Sequence, residues 1–285
     1  MRWRDGRQSG NIEDRRGLGP VGAVGGLGLG GVVIILIGVF VFGVDPQQMV
    51  SVVTDGGAVS QPQQQGVRGA TTDEAGRFVG AVETSTTEVW RDIFRQSGAT
   101  YTPTAGIVLY DQATGTACGT GQAAMGPFYC PGDNKVYLDL TFWTELETRF
   151  GAAGDFARAY VIAHEIGHHV QDLRGELAAG QGARARGDGG GAVRVELQAD
   201  CYAGVWAART GAATQGRVAL EAGDIEEGLQ AASAVGDDTI QRQTQGRVVP
   251  DAFTHGTAAQ RMRWFRRGYD SGDPAQCDTA RAPAL

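Results

Sequence analysis

Residues 160–170 carry the sequence Tyr160-Val-Ile-Ala-His164-Glu165-Ile-Gly-His168-His169-Val170. The apolar residues recur at about helical spacing, which predicts a helix. Residues four apart lie one above the other on a helix, so His164 and His168 can bind one metal ion. Glu165 lies beside them and can serve as general base toward a water molecule. Three of the four histidines in the chain lie here, which favours a metal site over chance spacing. His169 lies off this face, so we expect it to support a ligand or to face solvent.

A second helix, predicted over residues 193–209, carries two acidic residues four apart, Glu196 and Asp200. A catalytic zinc ion has three protein ligands and one open position. We expect Glu196 to be the third ligand and Asp200 to accept the free N–H of a ligand histidine. An exposed acidic helix face is the alternative. The otherwise apolar helix, which follows His168 closely, favours the metal site.

Size and composition limit the possible classes of protein. The chain has 285 residues, of which 42% are apolar and 20% are charged. These values predict one soluble domain with appended segments. The formal net charge of -7 argues against a nucleic-acid partner.

Residues 17–44 contain no charged side chain, and their second half is strongly apolar. About 20 such residues span the hydrocarbon layer of a bilayer, so we predict an uncleaved transmembrane helix over residues 18–44. A buried core helix or a cleaved signal peptide is the alternative. Arginines precede the segment and acidic residues follow it, which predicts that residues 1–17 are cytoplasmic and that the rest lies outside.

The predicted helix and the segments after it differ in pattern. Gly22, Gly26 and Gly30 repeat every fourth residue, which raises the hypothesis of self-association through that face. Residues 45–70 lack periodicity and are expected to be a flexible linker. The globular domain is predicted over residues 71–285.

A strand over residues 104–110 and a hairpin, formed by residues 128–130 and 135–140, precede the histidine helix. Such a hairpin can place an edge strand along the cleft, where it would bind an extended peptide. An ordinary interior hairpin is an equal alternative. Between the two metal helices, the glycine-rich stretch Arg174 to Ala192 is either a lid or a solvated insertion.

The fourth histidine, His255, precedes a predicted helix that has Thr257 as a plausible cap. His255 can stabilise the oxyanion that forms when water attacks a carbonyl. Arg261 can orient His255 or bind substrate. A simple helix-capping role for His255 is the alternative.

These motifs together resemble the bacterial neutral zinc metallopeptidase family. The matching segments are His164-Glu-Ile-Gly-His-His169, Glu196-Leu-Gln-Ala-Asp200-Cys, Gly126-Pro-Phe-Tyr-Cys-Pro131, Gly223-Asp-Ile-Glu-Glu227 and Phe253-Thr-His-Gly256 with Arg261. The resemblance implies an α+β, mainly helical, zincin-like (minigluzincin) domain with a small β-hairpin or sheet. It also implies Zn²⁺ on His164, His168 and Glu196, with Glu165 as base. The segment around His255 and Arg261 is similar to the His…Arg motif of membrane-associated housekeeping gluzincins.

The four cysteines are an even set. In an oxidising compartment, Cys118 and Cys130 would crosslink the hairpin. A bridge between Cys201 and Cys277 would hold the C-terminal segment against the second metal helix, and a buried free thiol at Cys201 is the alternative.

The sequence thus predicts a membrane-anchored zinc endopeptidase that acts on protein or peptide substrates. We expect a single-pass protein of the bacterial cytoplasmic (inner) membrane. A non-catalytic, zinc-containing membrane-associated binding protein is the alternative from another class. A zinc hydrolase that acts on a non-peptide amide is also compatible with the ligands.

Overall fold

The computed structural model describes residues 1–18, 65–180 and 186–285. In these parts the α-helices are α1 (Glu74–Gln96), α2 (Thr141–Thr148), α3 (Asp155–Leu173), α4 (Gly191–Ala213), α5 (Asp224–Ala234), α6 (Asp237–Gln245) and α7 (Ala258–Ser271). The strands are β1 (Ile12–Asp14), β2 (Val67–Arg68), β3 (Gly106–Tyr110), β4 (Ala113–Thr116), β5 (Gly119–Gln122), β6 (Phe128–Cys130) and β7 (Lys135–Asp139). The predicted α+β class with a predominance of helix is confirmed.

Helix α4 lies at the centre of the helical layer and packs against α1, α3 and α7. All residues from Glu196 to Ala207 are buried, as expected of a helix that other elements surround. Trp206 stacks on Phe156 of α3 and donates a hydrogen bond to Ser85 of α1. The backbones of α4 and α7 approach closely at Gly204 and Gly268. A Cβ atom at either position would collide with the facing backbone.

The main sheet has the strand order β2-β1-β3-β7-β6. Strands β1, β3 and β7 are parallel, whereas β6 runs antiparallel to β7 and forms an edge of the sheet. All five residues of β3 are buried, as is typical of a central parallel strand. Strands β4 and β5 form a separate hairpin. Tyr129 of β6 donates a hydrogen bond to Asp172 of α3 at 2.7 Å, so this edge strand lies beside the histidine helix.

The N-terminal segment belongs to the folded domain, which differs from the separate cytoplasmic segment expected over residues 1–17. Trp3 and Ile12 are buried, and β1 pairs with β3. The Glu13 carboxylate accepts hydrogen bonds from Arg15 at 2.7 Å and from Lys135 at 2.8 Å. The sequence misled us because charged residues near an apolar run normally flank a membrane helix, whereas here Glu13 and Arg15 are paired in the interior.

The predicted transmembrane helix over residues 18–44, its glycine face and most of the linker over 45–70 lie outside the described residues. Within the described parts of the chain, no helix is long and apolar enough to cross a bilayer. The end of the expected linker forms β2, which pairs with β1. Membrane attachment stays a prediction.

Two disulfides link the four cysteines as expected. Cys118 is bonded to Cys130, which joins the β4–β5 turn to β6. Cys201 is bonded to Cys277, which joins α4 to the C-terminal segment. The alternative of a free thiol at Cys201 is therefore wrong.

Candidate metal centre

Helices α3 and α4 bring three potential ligands together. His164 and His168 are successive members of one face of α3, and their ring centroids lie 4.8 Å apart. Glu196 projects from α4, with one carboxylate oxygen 3.2 Å from His164 Nε2 and the other 3.4 Å from His168 Nε2. One ligand atom from each of the three residues lies within 4.8 Å of the other two.

These three side chains fit a zinc ion. Zinc binds imidazole nitrogen and carboxylate oxygen at about 2.0–2.2 Å in tetrahedral geometry, which places neighbouring ligand atoms about 3.3 Å apart. One Glu196 oxygen lies at about this distance from His164 Nε2, and the other oxygen lies at about this distance from His168 Nε2. Both Nδ1 atoms have other partners, Asp200 for His164 and Gln171 for His168, so the Nε2 lone pairs are the ones that face Glu196. Three protein ligands leave one position for water or substrate.

Asp200 lies one helical turn after Glu196 and is completely buried. Its carboxylate is 2.8 Å from His164 Nδ1 and accepts that N–H, which fixes the tautomer of the ring. Tyr160 also donates its hydroxyl to Asp200. Burial opposes the charged form of Asp200, but Arg261 and His164 outweigh it and lower the pKa of this carboxyl.

Arg261 makes contacts that we did not expect from the sequence. The side chain is buried, and its guanidinium donates two hydrogen bonds to Asp200, at 2.8 and 2.9 Å. Its other donors are directed to the Tyr160 hydroxyl and the Val235 carbonyl. Arg261 therefore neutralises the carboxylate that orients His164. These partners engage four of its five N–H donors. Orientation of His255 or substrate binding by Arg261 stays a prediction.

His255 is held by a residue that the sequence analysis missed, Asp237. One Asp237 oxygen accepts the backbone N–H groups of Thr254, His255 and Gly256 at 2.7–3.0 Å. The other is 3.2 Å from His255 Nδ1. An aspartate at the start of a helix usually serves as its cap, so only the tertiary contact identifies this role. Thr257, and not His255, caps α7.

The environment of His255 favours a charged ring. Burial opposes protonation, but the carboxylates of Glu196 and Asp237 outweigh it and raise the pKa of His255. Because Nδ1 faces Asp237, Nε2 is the nitrogen left to donate to a ligand. The Glu196 carboxylate of the candidate metal centre is thus within electrostatic reach of the His255 ring.

The pKa values of Glu165 and Glu196 are shifted in opposite directions. Burial raises the pKa of Glu165, which suits a group that must take up a proton. Burial also disfavours ionisation of Glu196, but the histidines around it prevail and hold its pKa well below the ordinary value. Such divergence is typical of carboxylates with different chemical roles.

His169 supports the fold of the site and does not bind the metal. Its ring is buried, with Nε2 2.8 Å from the Thr102 carbonyl and Nδ1 3.1 Å from the Tyr129 hydroxyl. It therefore joins α3 to the edge strand β6. Gln171, which contacts His168 Nδ1 at 2.8 Å, was missed, although its spacing of three residues on the same helix is a usable signal.

The chain is similar in sequence to a family of known proteins. The profile of the family described as "Putative neutral zinc metallopeptidase" matches residues 1–280. The chain is 46% identical over 291 residues to "Uncharacterized protein YpfJ" of Escherichia coli (strain K12), covering 98% of both chains. It is 50% identical over 184 residues to "Uncharacterized protein Rv2575" of Mycobacterium tuberculosis (strain ATCC 25618 / H37Rv), covering 62% of each. No solved structure matches the chain significantly.

Proposed function

Because the chain belongs to the neutral zinc metallopeptidase family, we propose that it is a zinc-dependent endopeptidase that hydrolyses peptide bonds in protein substrates. The observation that carries the proposal is the convergence of His164, His168 and Glu196 beside Glu165. A site that only stabilised the fold would need neither an open coordination position nor an adjacent buried base. We also propose that the domain has a zincin-like fold.

We assign the residues their roles from their positions in the site. Bound zinc supplies Lewis acidity toward the attacking water and the scissile carbonyl. The Glu165 carboxylate takes a proton from the water and delivers it to the leaving amine. His255 donates a hydrogen bond to the oxyanion through Nε2. Asp200 holds the His164 ring, and Arg261 keeps Asp200 ionised.

Strand β6 is suited to hold the substrate. Among the described strands it pairs only with β7, so it has no strand partner on its second edge. An extended peptide could add to the sheet there. The hydrogen bond from Tyr129 to Asp172 fixes this edge relative to α3. A peptide added there would run past the metal centre in an extended conformation.

The test uses full-length protein loaded with zinc and incubated with reduced casein. The variant is Glu165→Gln, and the matched control is Glu147→Gln, which changes a half-exposed glutamate on α2. We expect peptide products from the wild type and the control and none from Glu165→Gln, with equal zinc content in all three. Cleavage by Glu165→Gln at the wild-type rate would contradict the assigned base. If all three proteins bound zinc and none cleaved casein, the result would favour a non-catalytic binding protein.

We also propose that the uncharged segment over residues 18–44 attaches the protein to the bacterial cytoplasmic membrane with both flanking regions in one compartment. Strands on opposite faces of a membrane could not pair. The pairing of β1 with β2 and β3 therefore supports this arrangement. Compartment reporters fused before Arg2 and after Leu285 should place both ends on the same side of the membrane. Opposite answers would contradict the shared compartment and restore the single-pass topology.

A further inference from the structure

Two buried glutamines connect the ligand His168 to the C-terminal segment. Gln171 Oε1 lies 2.8 Å from His168 Nδ1. The amide nitrogen of Gln171 donates to the Val195 carbonyl at 2.7 Å and to Gln198 Oε1 at 2.8 Å. The amide nitrogen of Gln198 donates in turn to the Cys277 carbonyl at 3.2 Å. These contacts form one continuous hydrogen-bonded chain.

The direction of this chain is fixed by its ends. Backbone carbonyls can only accept, so Val195 and Cys277 require the amide nitrogens of both glutamines to face them. If the Gln171 amide were reversed, its oxygen would face two other acceptors. Gln171 Oε1 therefore faces His168, and the imidazole must donate from Nδ1. The neutral ring then keeps the Nε2 lone pair on the side of Glu196.

The far end of the chain is held covalently. Cys277 is bonded to Cys201, which directly follows Asp200 on α4. The Thr279 hydroxyl donates to the Arg194 carbonyl at 2.6 Å, and the Arg194 guanidinium donates back to the Thr279 carbonyl. The C-terminal segment is thereby fastened along the first half of α4, with the Cys277 carbonyl directed toward Gln198.

We propose that Gln171 and Gln198 are positioning residues that hold His168 in the Nδ1–H tautomer, and that the Cys201–Cys277 disulfide fixes the acceptor at the end of their chain. The inference rests on the proposed zinc site of His164, His168 and Glu196, and it assigns a role to the C-terminal segment. Loss of a partner of this kind lowers metal affinity by about 10- to 100-fold. His164 has a charged partner instead, so the two ligand histidines are oriented by different chemistry.

The first test compares Gln171→Met and Gln198→Met with Gln230→Met in the full-length protein. Gln230 is an exposed glutamine on α5 that makes one hydrogen bond, to the Gly151 carbonyl. Zinc affinity is measured by competition with a chromophoric chelator. We expect the dissociation constant to rise about 10- to 100-fold for Gln171→Met, less for Gln198→Met, and to stay unchanged for Gln230→Met.

The second readout is the tautomer of His168 itself. Nitrogen-15 chemical shifts of the imidazole, recorded after chelator treatment, distinguish Nδ1–H from Nε2–H in the folded protein. We expect Nδ1–H in the wild type and a shift toward Nε2–H in Gln171→Met. An unchanged tautomer in Gln171→Met, or zinc affinity within twofold of the wild type, would overturn the proposal. If the wild type failed to bind zinc, the proposed function would fail, and the tautomer would still decide whether the chain orients His168.

The two disulfides provide a matched pair for the last step. Cys201→Ala/Cys277→Ala should raise the zinc dissociation constant, because the end of the chain is released. Cys118→Ala/Cys130→Ala should not, because that disulfide joins the β4–β5 turn to β6. Equal effects of the two pairs would show that the disulfide has no specific part in orienting His168.

Discussion

The buried carboxylate of Glu13 offers a direct test of how the N-terminal segment is held. Its side chain is 6% exposed, and its partners Arg15 and Lys135 are 1% and 8% exposed. Glu13→Gln would leave both cations in the interior without a counter-charge. Removing one member of a buried ion pair costs about 3–5 kcal/mol, so we expect the free energy of unfolding to fall by that amount at pH 7.

The pKa of Glu13 gives a second route to this magnitude. Burial alone would raise that pKa, but the hydrogen bonds from Arg15 and Lys135 outweigh it and lower the pKa from 4.5 to about 2. A pKa lowered in this way corresponds to about 3 kcal/mol of stability at neutral pH. Because the folded-state pKa is depressed, this stability is complete above pH 4.5 and is lost as the pH falls toward 2.

The assay is urea unfolding of the full-length protein, followed by tryptophan fluorescence from pH 7 down to pH 3. The control is Glu74→Gln, which breaks the exposed pair of Glu74 with Arg4 and should cost no more than about 1 kcal/mol. The difference between wild type and Glu13→Gln should shrink below pH 4.5. Equal losses in the two variants would refute the buried network. A difference that stayed constant down to pH 3 would show that the carboxylate charge is not its source.

Three further predictions concern the site and the crosslinks. Asp237→Asn should lower kcat about 10-fold or more with unchanged zinc affinity, because His255 loses its orientation, and steady-state kinetics with chelator competition would check this. A loss of zinc affinity as large as the loss of kcat would contradict this role of Asp237. Tyr129→Phe should cost about 1–3 kcal/mol in urea unfolding, because Asp172 and His169 lose a buried partner, and an unchanged midpoint would exclude that role. The disulfide that spans 76 residues should contribute about 4.5 kcal/mol, against about 3 kcal/mol for the one that spans 12. Urea unfolding of Cys201→Ala/Cys277→Ala and Cys118→Ala/Cys130→Ala measures both losses of unfolding free energy. A larger loss for the second variant would contradict the chain-entropy argument.

Sequence spacing predicted those parts of the site that depend on one helix. His164 and His168 share a face of α3 because four residues make about one helical turn. The same rule paired Glu196 with Asp200. The partners contributed by other helices were not predictable, because spacing carries no information on how helices pack. Arg261 is 61 residues from Asp200 and meets it only after α4 and α7 are packed together.

The misassignment of the N-terminal segment has a similar cause. Strand β1 has three residues, two of them acidic, and such a stretch has no periodicity that indicates a strand. Glu13 is buried because Lys135 lies opposite, 122 residues further along the chain. Charged residues are rarely buried without a partner, so sequence reasoning assigns them to the surface unless the partner is known. The positive-inside rule was then applied to arginines of which one, Arg15, lies in the interior.

Helix α4 shows which sequence signal would have identified more of the site. Packed on several sides by other helices, it offers its polar side chains little contact with water, and a buried polar group is stable only with a partner. Glu196 faces the ligand histidines, Gln198 contacts Gln171, and Asp200 contacts His164. Each polar residue in this part of the apolar helix therefore belongs to the candidate metal centre or contacts one of its residues. The reasoning that selected Glu196 and Asp200 applies equally to Gln198, which lies between them.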